Sequence, residues 1–199
     1  MTDAETEIAK AHDFRGRVAA ITTGEYGGDT RTTLLIGFAD QIFEHHAAIL
    51  RLIESRLYGS AFALVRSLFE AFFRVLWAVS CASDTDVEKI ATKERFQFPG
   101  TETMVNDIDQ KLKMNGFFLE FKKNAWTAMN SYTHTGLLQL SRRFSRTRVE
   151  PRYSETESVE VIHVITIAIV LLGRFIAVQT GRTAEAEQAE QLMDEYPEN

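Results

Sequence analysis

The sequence is poor in cysteine, in proline and in any sustained alternation of polar and apolar residues. Only one of its 199 residues, Cys81, is a cysteine, which excludes an intramolecular disulfide and a multi-cysteine metal site. A lone thiol also fits a reducing compartment. Only three prolines occur, and apolar residues recur at helical spacing nearly everywhere. With 45% hydrophobic residues, the chain is predicted to be all-α with a sizeable core.

The sequence also lacks the pattern of a secretory signal or of an uninterrupted membrane span. Residues 1–7 are acidic, whereas a secretory signal begins with a basic region. The most apolar stretch, 161–178, is interrupted by His163, Thr166 and Arg174, so we predict a buried helix there. We therefore expect a cytoplasmic protein that has no membrane partner.

The formal net charge of -6 comes entirely from the end of the chain. Residues 184–199 contain no Lys or Arg, whereas residues 1–183 hold 22 acidic and 22 basic side chains. We predict a single domain over residues 1–181 and a frayed or mobile acidic tail over residues 182–199. Since the body is neutral, the net acidity does not exclude an anionic ligand.

Apolar periodicity and turn signals divide the domain into helices. The pattern predicts a helical bundle of four long helices with a short inserted helix pair and an acidic C-terminal tail. A loop at 146–156 precedes the last core helix, and an interruption near Gly136 is left open. The predicted helices cover 3–21, 31–56, 60–82, 85–96, 102–114, 117–145 and 157–180.

Three charged residues, Arg66, Glu70 and Arg74, follow one another at i, i+4 spacing on the otherwise apolar third helix. One interpretation is a solvated ladder of ion pairs. The alternative is a charged stripe that faces a cleft or a second subunit, because a helix this apolar is expected to be enclosed. In that case one surplus positive charge could hold a phosphate or carboxylate.

A second group of polar residues, Thr127, Asn130, His134 and Ser141, is predicted to share one face of the long helix 117–145. An imidazole titrates near neutral pH and can act as a general base or acid, and an amide one turn earlier could orient it or bind a substrate. The alternative is an exposed or merely hydrogen-bonded histidine.

The strongest basic run of the chain follows this helix and is opposed only by Glu150. Arginine pairs with phosphate through a planar fork, so such a run suits an RNA-cleaving or nucleotide-binding site. A solvated basic turn, or a docking site for the acidic tail, remains an equal interpretation. The run consists of Arg142, Arg143, Arg146, Arg148 and Arg152.

Metal and nucleophile motifs are weak in this sequence. Possible ligands occur at Glu44, His45, His46, Glu70 and His134, but the paired Glu-x-x-His pattern and the His-Glu-x-x-His pattern are missing. We predict no metal and no cofactor. A weaker alternative is a small-molecule or metal-dependent enzyme with Glu44, His45, Glu70 and His134 around one cavity. The single cysteine is predicted to be structural.

Parts of the chain resemble an uncharacterised bacterial all-helical domain family of about this length. The resemblance covers most of residues 30–180 and implies a domain without a known activity. It is carried by the segments EHHAAILRLIE (44–54), LYGSAFALVRSLFEA (57–71) and WTAMNSYTHTG (126–136).

More distantly, the late polar-to-histidine motif is similar to that of the HEPN superfamily. This resemblance implies a helical bundle, usually dimeric, that is often a metal-independent ribonuclease of defence or toxin–antitoxin systems. Asn130 and His134 match the polar and histidine positions, but Met129 stands where the superfamily has an arginine. The missing cation could come from Arg66, Arg74 or Arg142. Inactive members of the superfamily bind nucleotides or act as interaction modules.

The leading hypothesis is therefore a HEPN-like homodimer that binds RNA or nucleotides and cleaves RNA with His134 as general base. Asn130, Arg66 and Glu70 complete the predicted catalytic group. The predicted binding residues are Arg74, Arg142, Arg143, Arg146 and Arg148. The main alternative is a non-catalytic module that binds a protein partner through its acidic tail.

Overall fold

The computed structural model describes residues 2–145 and 147–196. Most of these residues are helical, which confirms the predicted all-α class. The elements in chain order are α1 (Asp3–Thr22), α2 (Thr30–Glu54), α3 (Tyr58–Ser80), α4 (Asp84–Thr92), α5 (Thr101–Leu112), α6 (Phe117–Thr133), α7 (Leu137–Ser141), β1 (Phe144–Ser145), β2 (Arg148–Val149), α8 (Glu155–Gln179) and α9 (Thr183–Glu195).

Helix α3 lies at the centre of the bundle because most of its positions are apolar. Thirteen of its 23 residues are buried, among them Leu68, Phe72 and Phe73. It packs against α2, α5, α6 and α8, so four other helices contact the core through α3. The other ten positions are at least partly exposed, and the predicted charged stripe occupies three of them.

Helix α8 is the second apolar element and begins with a capping box. The Ser154 hydroxyl accepts from the Glu157 backbone N–H, and the Glu157 carboxylate accepts from the Ser154 backbone N–H. By length and composition α8 could cross a membrane, the only such helix in the described part of the chain. However, 61% of its most apolar stretch is buried inside the bundle. Ile165, Ile169 and Leu172 are fully buried there.

The predicted helix over 117–145 is interrupted near Gly136, a possibility that the sequence left open, and its prediction is wrong for residues 142–145. Helix α6 ends at Thr133, because Thr135 adopts a left-handed backbone with φ 53° that an α-helix cannot continue. The short helix α7 follows, and then β1 pairs antiparallel with β2, with Phe144 opposite Val149. Part of the predicted loop 146–156 therefore belongs to a hairpin.

The prediction of a frayed or mobile tail is wrong for residues 183–195, which form α9. Its narrow apolar face consists of Ala189 and Leu192, continued by the buried Tyr196. This face packs on Phe14, Val18 and Ile21 of α1 and on Val170 and Ala177 of α8. Arg17 also pairs with Glu195 at 2.6 Å. Residues 197–199 of the predicted tail lie outside the described residues.

Candidate functional site

The charged stripe of α3 lies on the side of the bundle covered by α6. Its side chains become more exposed along the helix, from 19% at Arg66 to 30% at Glu70 and 43% at Arg74. The stripe is therefore neither a fully solvated ridge nor a buried ion-pair network. Arg66, at its more enclosed end, carries the contacts from which the site is built.

Two donors of Arg66 are committed to its own helix. The Nε and Nη2 atoms donate to Oε1 of Glu70 at 2.9 and 2.7 Å. The guanidinium also lies 5.2 Å from the ring centre of Trp126 on α6, within the range of a cation–π contact. These contacts fix the plane of the guanidinium and leave Nη1 directed toward the end of α6.

Nη1 of Arg66 contacts both predicted polar residues of α6. It donates to Oδ1 of Asn130 and lies 3.0 Å from Nε2 of His134. Because a guanidinium carries only donors, Nε2 can make this contact only as the acceptor, in the tautomer whose proton is on Nδ1. The structure therefore brings Arg66, Glu70, Asn130 and His134 together, although 68 positions separate the arginine from the histidine.

His134 is held at the C-terminal end of α6 by a tight turn. The Ser131 hydroxyl accepts from the backbone N–H of Leu138 at 3.0 Å, and the Ser131 carbonyl accepts from that of Gly136 at 2.7 Å. A Cβ at Gly136 would lie 2.6 Å from Ser131 Oγ and 3.0 Å from its Cα, so a side chain at position 136 would push the turn apart.

A further bond connects the end of α6 to α3. The Thr133 hydroxyl lies within hydrogen-bond distance of two backbone carbonyls, that of Ala63 on α3 at 3.2 Å, one helical turn before Arg66, and that of Met129 on its own helix at 2.9 Å. Since Ala63 and Arg66 belong to the same helix, the contact between Thr133 and Ala63 helps to fix the position of α6 along α3, and so relative to Arg66. Thr127 is exposed, and Ser141, predicted on the same face as His134, lies instead in α7 and donates to the Leu138 carbonyl.

Arg74 lies at the exposed end of the stripe. Its guanidinium is 4.0 Å from Glu70 and stacks 5.2 Å from the ring centre of Phe98. Two helical turns separate it from Arg66, so it extends the positive surface beyond the cluster instead of contacting the histidine.

The described arginines of the basic run 142–152 contact other parts of the bundle and not the cluster around His134. Arg142 pairs with Glu157 of α8, and Arg143 packs against Gly59, where a Cβ would collide with its guanidinium. Arg148 is exposed on β2, and Arg146 lies outside the described residues. Within the described ranges, the contacts of these arginines involve neither His134 nor Asn130. The arginine that accompanies the histidine is Arg66.

The possible metal ligands do not assemble. His46 is fully buried and its Nε2 lies 3.3 Å from the Thr166 hydroxyl, while burial lowers its pKa to about 3. In the segments 2–145 and 147–196, no group of three or more His, Cys, Asp and Glu side chains is arranged as metal ligands. Burial also raises the pKa of the Cys81 thiol, which favours the unreactive form.

Sequence reasoning missed Trp126 as part of the site. Its spacing of four residues before Asn130 places both on one face of α6, and that spacing could have indicated it. The role of Ser131 in closing the turn has no comparable signal, because it depends on where α6 ends.

Comparison with known proteins identifies a family and no activity. The profile of a family of unknown function, DUF6988, matches residues 39–199. The matched region includes Arg66, Glu70, Asn130 and His134. No curated protein and no solved structure matches the chain. Because the match extends over most of its length, the chain belongs to the family of unknown function DUF6988.

Proposed function

We propose that this protein binds RNA and cleaves it at the cluster formed by Arg66, Asn130 and His134. The observation that carries the proposal is the 3.0 Å contact between Nη1 of Arg66 and Nε2 of His134. It places a permanent positive charge beside an imidazole nitrogen whose lone pair can take a proton once this contact is released. These two groups are what the transfer of a phosphoryl group to a neighbouring ribose hydroxyl requires.

In the proposed reaction, a bound phosphodiester takes over Nη1 of Arg66 and releases Nε2 of His134. Nε2 then accepts the proton of the ribose 2′-hydroxyl. The 2′-oxygen forms a bond to phosphorus, the bond from phosphorus to the 5′-oxygen breaks, and that oxygen takes a proton from water. Arg66 stabilises the negative charge that develops on the phosphate oxygens. These side chains supply both the base and the charge, so the proposed chemistry requires no metal ion.

The resemblance to the HEPN superfamily is part of the same proposal. In that superfamily an arginine precedes the histidine on one helix, whereas this chain has Met129 there. The position of Arg66 supports the proposal because it supplies a guanidinium to His134 from α3 instead. Glu70 is then a positioning residue, since it holds the opposite edge of the guanidinium through two hydrogen bonds.

The proposed dimer is supported by exposed apolar side chains that follow His134 in the sequence. Leu137 is 81% exposed and Val149 is 78% exposed, and Leu138, Leu140 and Phe144 between them are also exposed. An apolar group of this kind is typical of a surface that a protein covers. The same surface supports the non-catalytic interaction module as the second candidate function.

The cleavage proposal is tested by incubating the purified protein with total RNA in the presence of EDTA. We expect cleavage by the wild type, products that end in a 2′,3′-cyclic phosphate, and loss of at least about two orders of magnitude in rate in His134→Ala. The matched control is His12→Ala, because His12 is another exposed histidine paired with a charged residue, Glu54. Cleavage that survives in His134→Ala, or that His12→Ala abolishes equally, would contradict the proposal.

Binding is measured separately by fluorescence anisotropy with a single-stranded RNA at low salt, where phosphate contacts are strongest. Arg66→Gln should weaken binding, whereas Arg51→Gln, an exposed arginine on α2, should not. If the wild type neither binds nor cleaves RNA, the RNA proposal fails and the interaction module becomes the better hypothesis.

A further inference from the structure

An apolar cavity of about 380 Å³ lies between α3, α6 and α8. Helix α6 contributes Phe121, Met129 and Tyr132 to its lining, and α8 contributes Val161 and Val164. The helical spacing of the α6 residues puts them on a different face from Asn130 and His134. This cavity is therefore separate from the proposed RNA site.

The cavity adjoins a second, more polar recess of about 560 Å³. Leu138 and Arg142 line both spaces, so the apolar cavity and the recess share part of their walls. The recess is otherwise lined by Ser141, Arg152, Tyr153 and Ser154, and the carboxylate of Glu157, which lines the adjoining cavity, is bonded to its residues Arg142 and Ser154. Two residues of the basic run that do not contact His134 thus lie together at the mouth of an apolar cavity.

The two arginines retain donors for an anion. A guanidinium carries five N–H donors. Arg142 uses Nη2 to reach Glu157, and Arg152 uses Nη1 to reach the Phe144 carbonyl at 3.4 Å. Glu157 balances the charge of Arg142, so Arg152, which has no carboxylate partner among the described residues, supplies the surplus positive charge of the recess. Glu160 lines the apolar cavity but not the recess.

The size of the cavity limits the ligand. At about 380 Å³, the apolar cavity is at the lower end of the range of about 300–1,000 Å³ that is typical of small-molecule sites. Its lining offers a chain of carbon atoms apolar contact along most of its length, while the recess offers its head group two guanidiniums. We propose that this pair of cavities binds a single-chain amphiphile with a carboxylate head, such as a fatty acid of about ten carbons.

The test is isothermal titration calorimetry with sodium decanoate below its micelle concentration, compared with the uncharged decanol. We expect one decanoate per chain and weaker binding of decanol. Ala128→Phe places a ring in the cavity and should lower the affinity for decanoate by about tenfold or more. Circular dichroism and urea unfolding establish that this variant is folded.

The head-group contact is tested with Arg152→Gln, which should lower the affinity for decanoate about tenfold and leave that for decanol unchanged. Arg148→Gln is the matched control, because Arg148 belongs to the same hairpin region but lines neither cavity. The proposal is overturned if decanoate does not bind, if decanol binds equally well, or if Ala128→Phe binds decanoate as tightly as the wild type. Flotation with phosphatidylglycerol vesicles but no binding of free decanoate would also overturn it, in favour of a membrane lipid.

Discussion

Replacing Gly173 with alanine should not stabilise the bundle, although alanine is the better helix former. Gly173 is buried on α8 where this helix crosses α1, and a Cβ there would lie 2.8 Å from Cγ1 of Val18. Valine in a helix has essentially one side-chain rotamer, so Val18 cannot turn away from the added methyl. The two helices must separate slightly, and overpacking of this kind costs about 1–3 kcal/mol.

The matched control is Gly37→Ala on α2. Gly37 is exposed, and a Cβ at this position would meet nothing within 4 Å. It should therefore show only the gain in helix propensity, about 1 kcal/mol. Gly173→Ala has the same gain but also the overpacking cost, so the two variants should differ by about 1–3 kcal/mol in the free energy of unfolding.

Urea unfolding followed by circular dichroism at the helix band measures this difference. With a denaturant slope of about 3 kcal/mol per molar, the midpoints of the two variants should differ by about 0.3–1 M. A double-mutant cycle gives the physical cause, since Val18→Ala should cost less in the Gly173→Ala background than in the wild type. If Gly173→Ala is stabilised as much as Gly37→Ala, α1 and α8 do not approach as closely as the structure shows.

Two further predictions concern α9 and His46. Because Leu192 is 2% exposed, Leu192→Ala should lower the free energy of unfolding by about 2–5 kcal/mol and speed amide hydrogen exchange throughout α9. The control is Met193→Ala, at a position 37% exposed, which should change the free energy of unfolding by less than about 0.5 kcal/mol. Burial lowers the pKa of His46 from 6.5 to about 3, so the unfolded chain binds a proton more readily than the folded one and stability should fall as the pH drops from 6.5 toward 3. The loss of stability approaches about 1.4 kcal/mol for each pH unit. In urea unfolding between about pH 6.5 and pH 5, the midpoint of His46→Gln should therefore depend much less on pH than that of the wild type. An equal pH dependence in the two proteins would contradict the lowered pKa of His46.

The long helices could be predicted from the sequence because their apolar positions repeat over many turns. Helices α2, α3 and α8 each begin and end within two residues of the predicted bounds. The hairpin could not be predicted in this way, because strands of two residues are too short to show an alternation. The helix α9 could not be predicted because its apolar face is narrow. It is stabilised by packing on α1 and α8, which no local pattern shows.

The candidate site could be predicted only as two halves. The i, i+4 spacing on α3 and the spacing of Asn130 and His134 on α6 each indicated one half. No local pattern encodes the 3.0 Å contact between Arg66 and His134, because it depends on how α6 is packed against α3. The basic run was a misleading signal, since charge density in the sequence does not determine which partner an arginine meets.

The unequal burial of α3 and α6 has a consequence for how the site can be controlled. Arg66 belongs to the most enclosed helix of the bundle and can move only with the core. His134 ends a helix with just two buried residues, Phe118 and Met129, and is followed by an exposed turn. Of these two parts of the site, only the end of α6 with His134 can shift at low energetic cost. Under the proposed function, a ligand or partner that changes RNA cleavage is therefore expected to act by moving the end of α6, while Arg66 stays in place.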